Sequence, residues 1–215
     1  PASGMLGVLC MPGLTAEAGR VEVAAVKEGE TVFVSGAGGA VGSLVGQFAT
    51  VRGGTAIGSA GTADKVAWLK ELGFAAAFNY KDGPVLPALN KAAPDGIEIY
   101  FDNVGGEHLE AAISALKVHG RAAICGMISQ YNNTAPAPGP RNMPMIVSKR
   151  LTLRGLLVSD HQHLLPEFIR EVGGWLASGQ LTFRETVVDG LENAPAAFIG
   201  MLGGDNIGKM VVSLG

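Results

Sequence analysis

The run Val32-Phe33-Val34-Ser35-Gly36-Ala37-Gly38-Gly39-Ala40-Val41-Gly42-Ser43 constrains this chain more than any other stretch. A β-branched apolar segment leads straight into four glycines, spaced as GxxGxxG (36, 39, 42) or GxGxxxG (36, 38, 42), and a helical spacing follows. Glycine meets three needs there: positive φ in a tight turn, close approach of a ligand to the backbone, and a helix start whose free N–H groups favour an anion. The same glycines also suit an ordinary tight strand-to-helix turn. From Thr31 to Val51 the chain carries no charge, a length that could cross a membrane. The glycines, together with Ser35, Ser43 and Gln47, instead make it strand, turn, helix.

Beyond this unit, short β-rich runs alternate with helical patterns, which predicts a parallel sheet covered on both faces. Strands are predicted at 31–37, 54–59, 75–80, 97–102, 120–126 and 151–158. Helices are predicted at 40–52, 63–73, 84–93, 106–116 and 142–149. The fold class is therefore α/β, a Rossmann doubly wound sheet of six parallel strands. A helix at about 14–26 precedes it. After Val158 come a helix at 164–178, an extended run at 181–188, a helix at 192–203 and a strand at 208–214. Three prolines between Tyr131 and Arg141 predict an extended flap.

With 47% hydrophobic and 16% charged residues, the 215-residue chain can build a sizeable core. A formal charge of −3 without runs of one sign argues against nucleic acid and against a membrane surface. Cys10 and Cys125 belong to no metal-ligand or disulfide pattern, and His161 and His163 have no companions to complete a zinc site, so no metal is expected. Unpaired cysteines fit a reducing cytoplasm. The chain opens on Pro1 with no basic, apolar leader, which suggests a fragment or a processed protein without a signal peptide.

Dinucleotide enzymes that prefer NAD place a carboxylate at the end of the second strand. Here that region reads Ala56-Ile57-Gly58-Ser59-Ala60-Gly61-Thr62, and Lys65 arrives within the first turn of the next helix. A lysine with no acid at Ser59 favours the 2′-phosphate of NADP(H), whereas Asp64 beside it keeps NAD open. Polar residues gather after the fourth and fifth strands, where ligands of open α/β sheets bind. Among them, Tyr131 could donate a hydrogen bond to an oxygen gaining negative charge, or could simply be a surface tyrosine of the flap.

Several strings carry a wider likeness: Met11-Pro12-Gly13-Leu14-Thr15-Ala16, Lys27-Glu28-Gly29-Glu30-Thr31, Gly39-Ala40-Val41-Gly42, Phe78-Asn79-Tyr80, Phe101-Asp102-Asn103-Val104-Gly105-Gly106, Cys125 through Asn132, and Glu192-Asn193-Ala194-Pro195 through Gly208-Lys209. Together they resemble the zinc-independent medium-chain dehydrogenase/reductases, in the branch of leukotriene B4 dehydrogenase/prostaglandin reductase, alkenal double-bond reductase and bacterial curcumin reductase. The resemblance covers nearly the whole chain. It implies NADPH-dependent reduction of the C=C bond of α,β-unsaturated aldehydes and ketones, by a cytoplasmic homodimer acting on a small enone or enal.

The same resemblance implies site residues. Gly39, Ala40, Val41 and Gly42 match the pyrophosphate loop, Lys65 and Tyr80 the residues at the adenosine 2′-phosphate, and Asn103 a cofactor contact. Cys125, Gly126, Ile128, Ser129 and Tyr131 match the loop along the nicotinamide, with Leu156, Leu157, Val158 and Asn206 as further contacts. Tyr131 matches the tyrosine that stabilises the enolate. Glu17-Ala18 stands where the family usually carries a bulky pair. On this likeness residues 1–28 are a leading segment and linking helix, 29–160 the NADP-binding Rossmann domain, and 161–215 a return toward a GroES-like catalytic domain largely absent from the chain. A non-catalytic NADP-binding module that senses redox state, and a quinone reductase on the same scaffold, are the alternatives.

Overall fold

The computed structural model describes residues 2–215. Strands β1 (Thr31–Val34), β2 (Thr55–Ala60), β3 (Ala76–Asn79), β4 (Ile97–Asp102), β5 (Leu116–Ile124) and β6 (Thr152–Gly155) form one parallel sheet in the order β3-β2-β1-β4-β5-β6. Successive side chains of a strand point to opposite faces, and this sorts the core in two. Val32, Val34, Ile99 and Phe101 pack on one face with Leu44, Phe48 and Leu69. Phe33 and Tyr100 pack on the other with Leu89, Leu109 and Ile113.

Helices α2 (Gly42–Val51) and α3 (Ala63–Glu71) supply the first face, and α4 (Val85–Ala92) and α5 (Gly106–Ala115) the second, where α6 (Pro144–Lys149) contributes Ile146. Strand order reverses between β1 and β4, so a crevice opens beyond their carboxyl ends. Helices α1 (Met11–Ala18) and α7 (Leu165–Ala177) complete the first face through Leu14, Phe168 and Val172. A second sheet pairs β7 (Glu185–Asp189) with β8 (Lys209–Ser213) in parallel, joined through α8 (Ala194–Gly203). Among the described residues no helix is long and apolar enough to cross a membrane.

Several boundaries differ from the sequence reading for local reasons. β1 stops at Val34 rather than 37, because Gly36 turns the chain with φ +59°. The helix expected at 14–26 starts at Met11, with Pro12 in its first turn, and runs on as π-helix over Gly19–Val23. Gly19 is pressed onto the sheet there: a Cβ on it would lie 2.2 Å from the Phe101 ring. β5 begins at Leu116 rather than 120, and its register slips, since Leu116 pairs with Ile97 but Arg121 with Ile99. β6 ends at Gly155 because Val158–Leu164 winds into a 3₁₀ helix.

Candidate functional site

The turn after β1 assigns its glycines different work. Gly36 supplies the left-handed backbone. Gly42, the first residue of α2, has no room for a side chain: a Cβ would sit 2.6 Å from the Gly36 carbonyl oxygen and 2.7 Å from Ala37 Cα. Gly38 lies under the aliphatic stem of Lys65, with a virtual Cβ 2.9 Å from Lys65 Cδ. Gly39 meets only the Gly36 carbonyl, at 3.4 Å, so its Cβ position is otherwise open. The amides of Ala40, Val41 and Gly42 lie at or before the first helical residue, where an N–H has no intrahelical acceptor. An open glycine surface beside uncommitted amides fits a pyrophosphate.

At the end of β2 the backbone passes through Gly61, over which the Tyr80 hydroxyl (3.0 Å from a virtual Cβ) and Lys81 Cε (3.3 Å) converge. Thr62 caps α3 by accepting from the Lys65 amide at 3.3 Å. Lys65 is largely buried, and its Nζ donates to the Gly204 carbonyl oxygen at 2.6 Å. Burial and the facing Lys81 hold its pKa below the usual lysine value, with Asp205 opposing them. Ser59 Oγ is buried with no hydrogen-bond partner among the described residues. Two lysines and a phenol at a strand tip without a carboxylate fit a phosphate on the adenosine ribose.

The other half of the crevice is built around β4 and β5. The Cys125 and Gly126 amides donate to the Asp102 carbonyl oxygen at 2.9 and 3.0 Å, the Ile128 amide to Asn103 O at 3.2 Å, and the Ser129 amide and hydroxyl to Val104 O at 3.2 and 2.6 Å. These bonds lay the segment 125–129 along the β4–α5 turn. Asn103 is fixed to the first turn, since its Nδ2 donates to Ser35 O at 2.8 Å and its amide to Ser35 Oγ at 3.0 Å. Its Oδ1 and the second Nδ2 hydrogen are left for a ligand. Tyr131 is exposed, its hydroxyl oxygen accepts from the Met127 amide at 3.1 Å, and it lies 3.0 Å from a virtual Cβ on Gly126.

Beneath these turns, Asp102 is fully buried, and its Oδ1 accepts from Tyr100 Oη (2.6 Å), Ser35 Oγ (3.2 Å) and the Val104 and Gly105 amides (2.9 and 2.7 Å). Burial and this carboxylate raise the Tyr100 phenol well above its ordinary pKa. Burial, then Asp102, push the Cys125 thiol up to about 11. Leu156 is buried, with its amide on Ile124 O at 2.9 Å, and Val158 packs against the same core, whereas Leu157 is exposed. Asn206 is buried and donates to Gly208 O at 2.6 Å, and the Gly208 amide donates to Gly38 O at 2.9 Å.

The predicted residues thus fall on one end of the sheet. Three partners escaped the sequence reading. Lys81, directly after Tyr80, could have been found by asking which other cation follows a strand tip. Gly204 and Gly208 had no local signal, because their roles lie in carbonyl and amide groups that every residue carries.

Fold and crevice define a Rossmann-type domain with a dinucleotide-shaped site at its topological switch point. Residues 40–173 match the family described as zinc-binding dehydrogenase, and the chain belongs to that family. It is 49% identical over 214 residues to the NADP(+)-dependent 2-alkenal reductase of Nicotiana tabacum, covering 99% of this chain and 62% of that protein. It is also 49% identical to prostaglandin reductase 1 of Bos taurus, over 99% of this chain and 65% of that one. CurA of Vibrio vulnificus, solved in complex with NADPH, superposes with a TM-score of 0.94 at 42% identity, over 99% of this chain and 65% of CurA. The chain therefore spans somewhat under two thirds of the length of these relatives. The family description implies zinc, but no three His, Cys, Asp or Glu side chains among the described residues are grouped to hold a metal.

Proposed function

We infer that this chain is the cofactor-binding part of an NADPH-dependent oxidoreductase that reduces the C=C bond of α,β-unsaturated aldehydes and ketones. Its residues 1–28 lead into a cofactor domain at 29–160, and 161–215 return toward a substrate-binding partner domain. The observation that carries the reading is the placement of Tyr80 and Lys81 over Gly61 at the tip of β2, with Lys65 lying on Gly38 of the neighbouring Gly36–Gly42 turn. Relatives named for NADP-dependent alkenal reduction and for prostaglandin reduction, and a neighbour solved with NADPH, support it.

When bound, the nicotinamide supplies a hydride for the β-carbon of the enone. The chain's own residues bind and orient. Ala40, Val41 and Gly42 offer amides to the pyrophosphate, and Lys65 with Tyr80 holds the 2′-phosphate. Asn103 Oδ1, the segment 125–129, Leu156, Leu157, Val158 and Asn206 shape the nicotinamide end. Because the Tyr131 oxygen already accepts from Met127, its own hydrogen remains free to donate to the enolate oxygen that develops as the β-carbon is reduced. Protonation at the α-carbon follows from Tyr131 or solvent.

The exposed edge of β6, paired among the described residues only with β5, offers a strand for pairing with a second copy, which supports a homodimer. Cys10 and Cys125, both free, support a cytoplasmic location. Fluorescence titration with NADPH and NADH, followed by NADPH oxidation across a panel of enones and enals with the whole protein, tests the reading. Tighter NADPH binding with enone turnover is expected. Binding without turnover on any panel member would return the chain to a cofactor-sensing module.

A further inference from the structure

We propose that Lys65 is a positioning residue that couples a 2′-phosphate on the cofactor to the order of the turn at residues 204–208. The proposal rests on the NADPH reading above. Its geometry is a closed clamp. The Lys65 stem lies on Gly38, and its Nζ reaches the carbonyl of Gly204, the left-handed residue that ends α8. Four residues later the Gly208 amide returns to the Gly38 carbonyl at 2.9 Å, and Gly39 bridges to Gly208. The turn is thus tied to the phosphate loop at both ends, once through backbone and once through a lysine. Between the ties sits Asn206, its amide held by Gly208 O at 2.6 Å.

An ammonium carries three donors, so the bond to Gly204 leaves two for an anion. A cation at a helix C-terminus is also favoured by the carbonyls gathered there. Lys81 faces Lys65 and repels it, while Asp205, beside the Gly204 carbonyl, attracts it from the turn. A phosphate placed between the two lysines cancels the repulsion and holds Lys65 charged and extended on Gly204. A cofactor without that phosphate leaves the tie under repulsion. The lysine then does more than choose a cofactor: it reports the choice to the turn that carries Asn206 and starts β8.

Hydrogen exchange of the 201–209 segment, read by mass spectrometry on the whole chain, tests this. With saturating NADPH the segment should exchange roughly tenfold more slowly than with saturating NADH, within the usual range for coupled sites. The same slowing should appear with 2′,5′-ADP, which has the phosphate but no nicotinamide. In Lys65→Met the difference should vanish while the 36–43 loop stays protected by both dinucleotides, and Lys65→Arg should restore part of it. Equal exchange with NADPH and NADH in the unaltered chain, despite tighter NADPH binding, overturns the coupling and leaves the cofactor reading standing. Absence of any NADPH preference, with no protection by 2′,5′-ADP, overturns both.

Discussion

The hydroxyl oxygen of Tyr131 accepts a hydrogen bond from the Met127 amide at 3.1 Å, within a single tight loop. This contact orients the phenol while leaving its hydrogen unspent, and Gly126, on which a Cβ would stand 3.0 Å from that oxygen, makes the space for it. Losing one hydrogen bond to a developing oxyanion typically costs about 10²–10³ in rate. Tyr131→Phe in the whole enzyme should therefore lower kcat by about that factor while NADPH affinity stays within a few-fold. An unchanged kcat with chemistry rate-limiting, established by a deuteride isotope effect, would reduce Tyr131 to a flap residue.

In the proposed site Lys65 should govern cofactor choice. Replacing a buried cation by an anion removes an attraction and adds a repulsion, so Lys65→Glu should weaken NADPH binding by about 2–4 kcal/mol. NADH binding should change little. Fluorescence titration of both cofactors measures this, and equal losses would return Lys65 to a role in holding Gly204 alone.

Cys125 should be a slow thiol. Thiolate is the reacting form, and burial with Asp102 behind it moves the pKa from 9.0 to about 11. Below pH 9 its alkylation by iodoacetamide should then run about 100-fold slower than that of a thiol of ordinary pKa, on thiolate fraction alone. Mass-spectrometric labelling of Cys125 across pH gives the rate, and labelling at the ordinary rate would contradict the protected environment.

Glu22 sets an acid limb of stability. It joins the π-helical segment to the 158–164 helix by accepting from His163 Nε2 at 2.7 Å and meeting His161 Nδ1 at 2.5 Å. These bonds, His163 first, lower its pKa below 4.5. A carboxylate whose folded pKa is depressed contributes stability above its unfolded pKa and loses it as pH falls through the folded one. The Tm advantage of the unaltered chain over Glu22→Gln should hold at neutral pH and shrink below about pH 4.5. Thermal melts across pH 3–7 read it directly, and a constant gap would detach Glu22 from the acid response.

Much of this arrangement is legible in the sequence because it follows from periodicity and glycine. The six parallel strands could be reasoned from alternating runs, and the turn at Gly36–Gly42 from φ and close packing. What stays hidden depends on tertiary contact. The slip in β5 between Leu116 and Arg121, with His119 at φ +64°, has no residue signature, and neither has the π-helical run that seats Gly19 on Phe101. Lys81 follows a strand tip in the sequence, but that it faces Lys65 is set only by the fold. The acceptor for Lys65 is a main-chain carbonyl, and main-chain chemistry is the same at every position.

The tie between Lys65 and Gly204 joins residues 139 positions apart. Closing so long a loop costs entropy that grows only slowly with length, about 0.6 kcal/mol per doubling, yet it cannot begin before the distant residue exists. On a ribosome the sheet and its first glycine turn are synthesised long before Gly204 and Gly208 emerge. The Lys65 end of the crevice is therefore completed only after Gly208 has been made. A chain not yet extended past Gly208 would hold a largely finished sheet with a half-built cradle, so in the proposed site ready binding of a phosphorylated dinucleotide would report that the segment 139 positions beyond Lys65 has been made and docked.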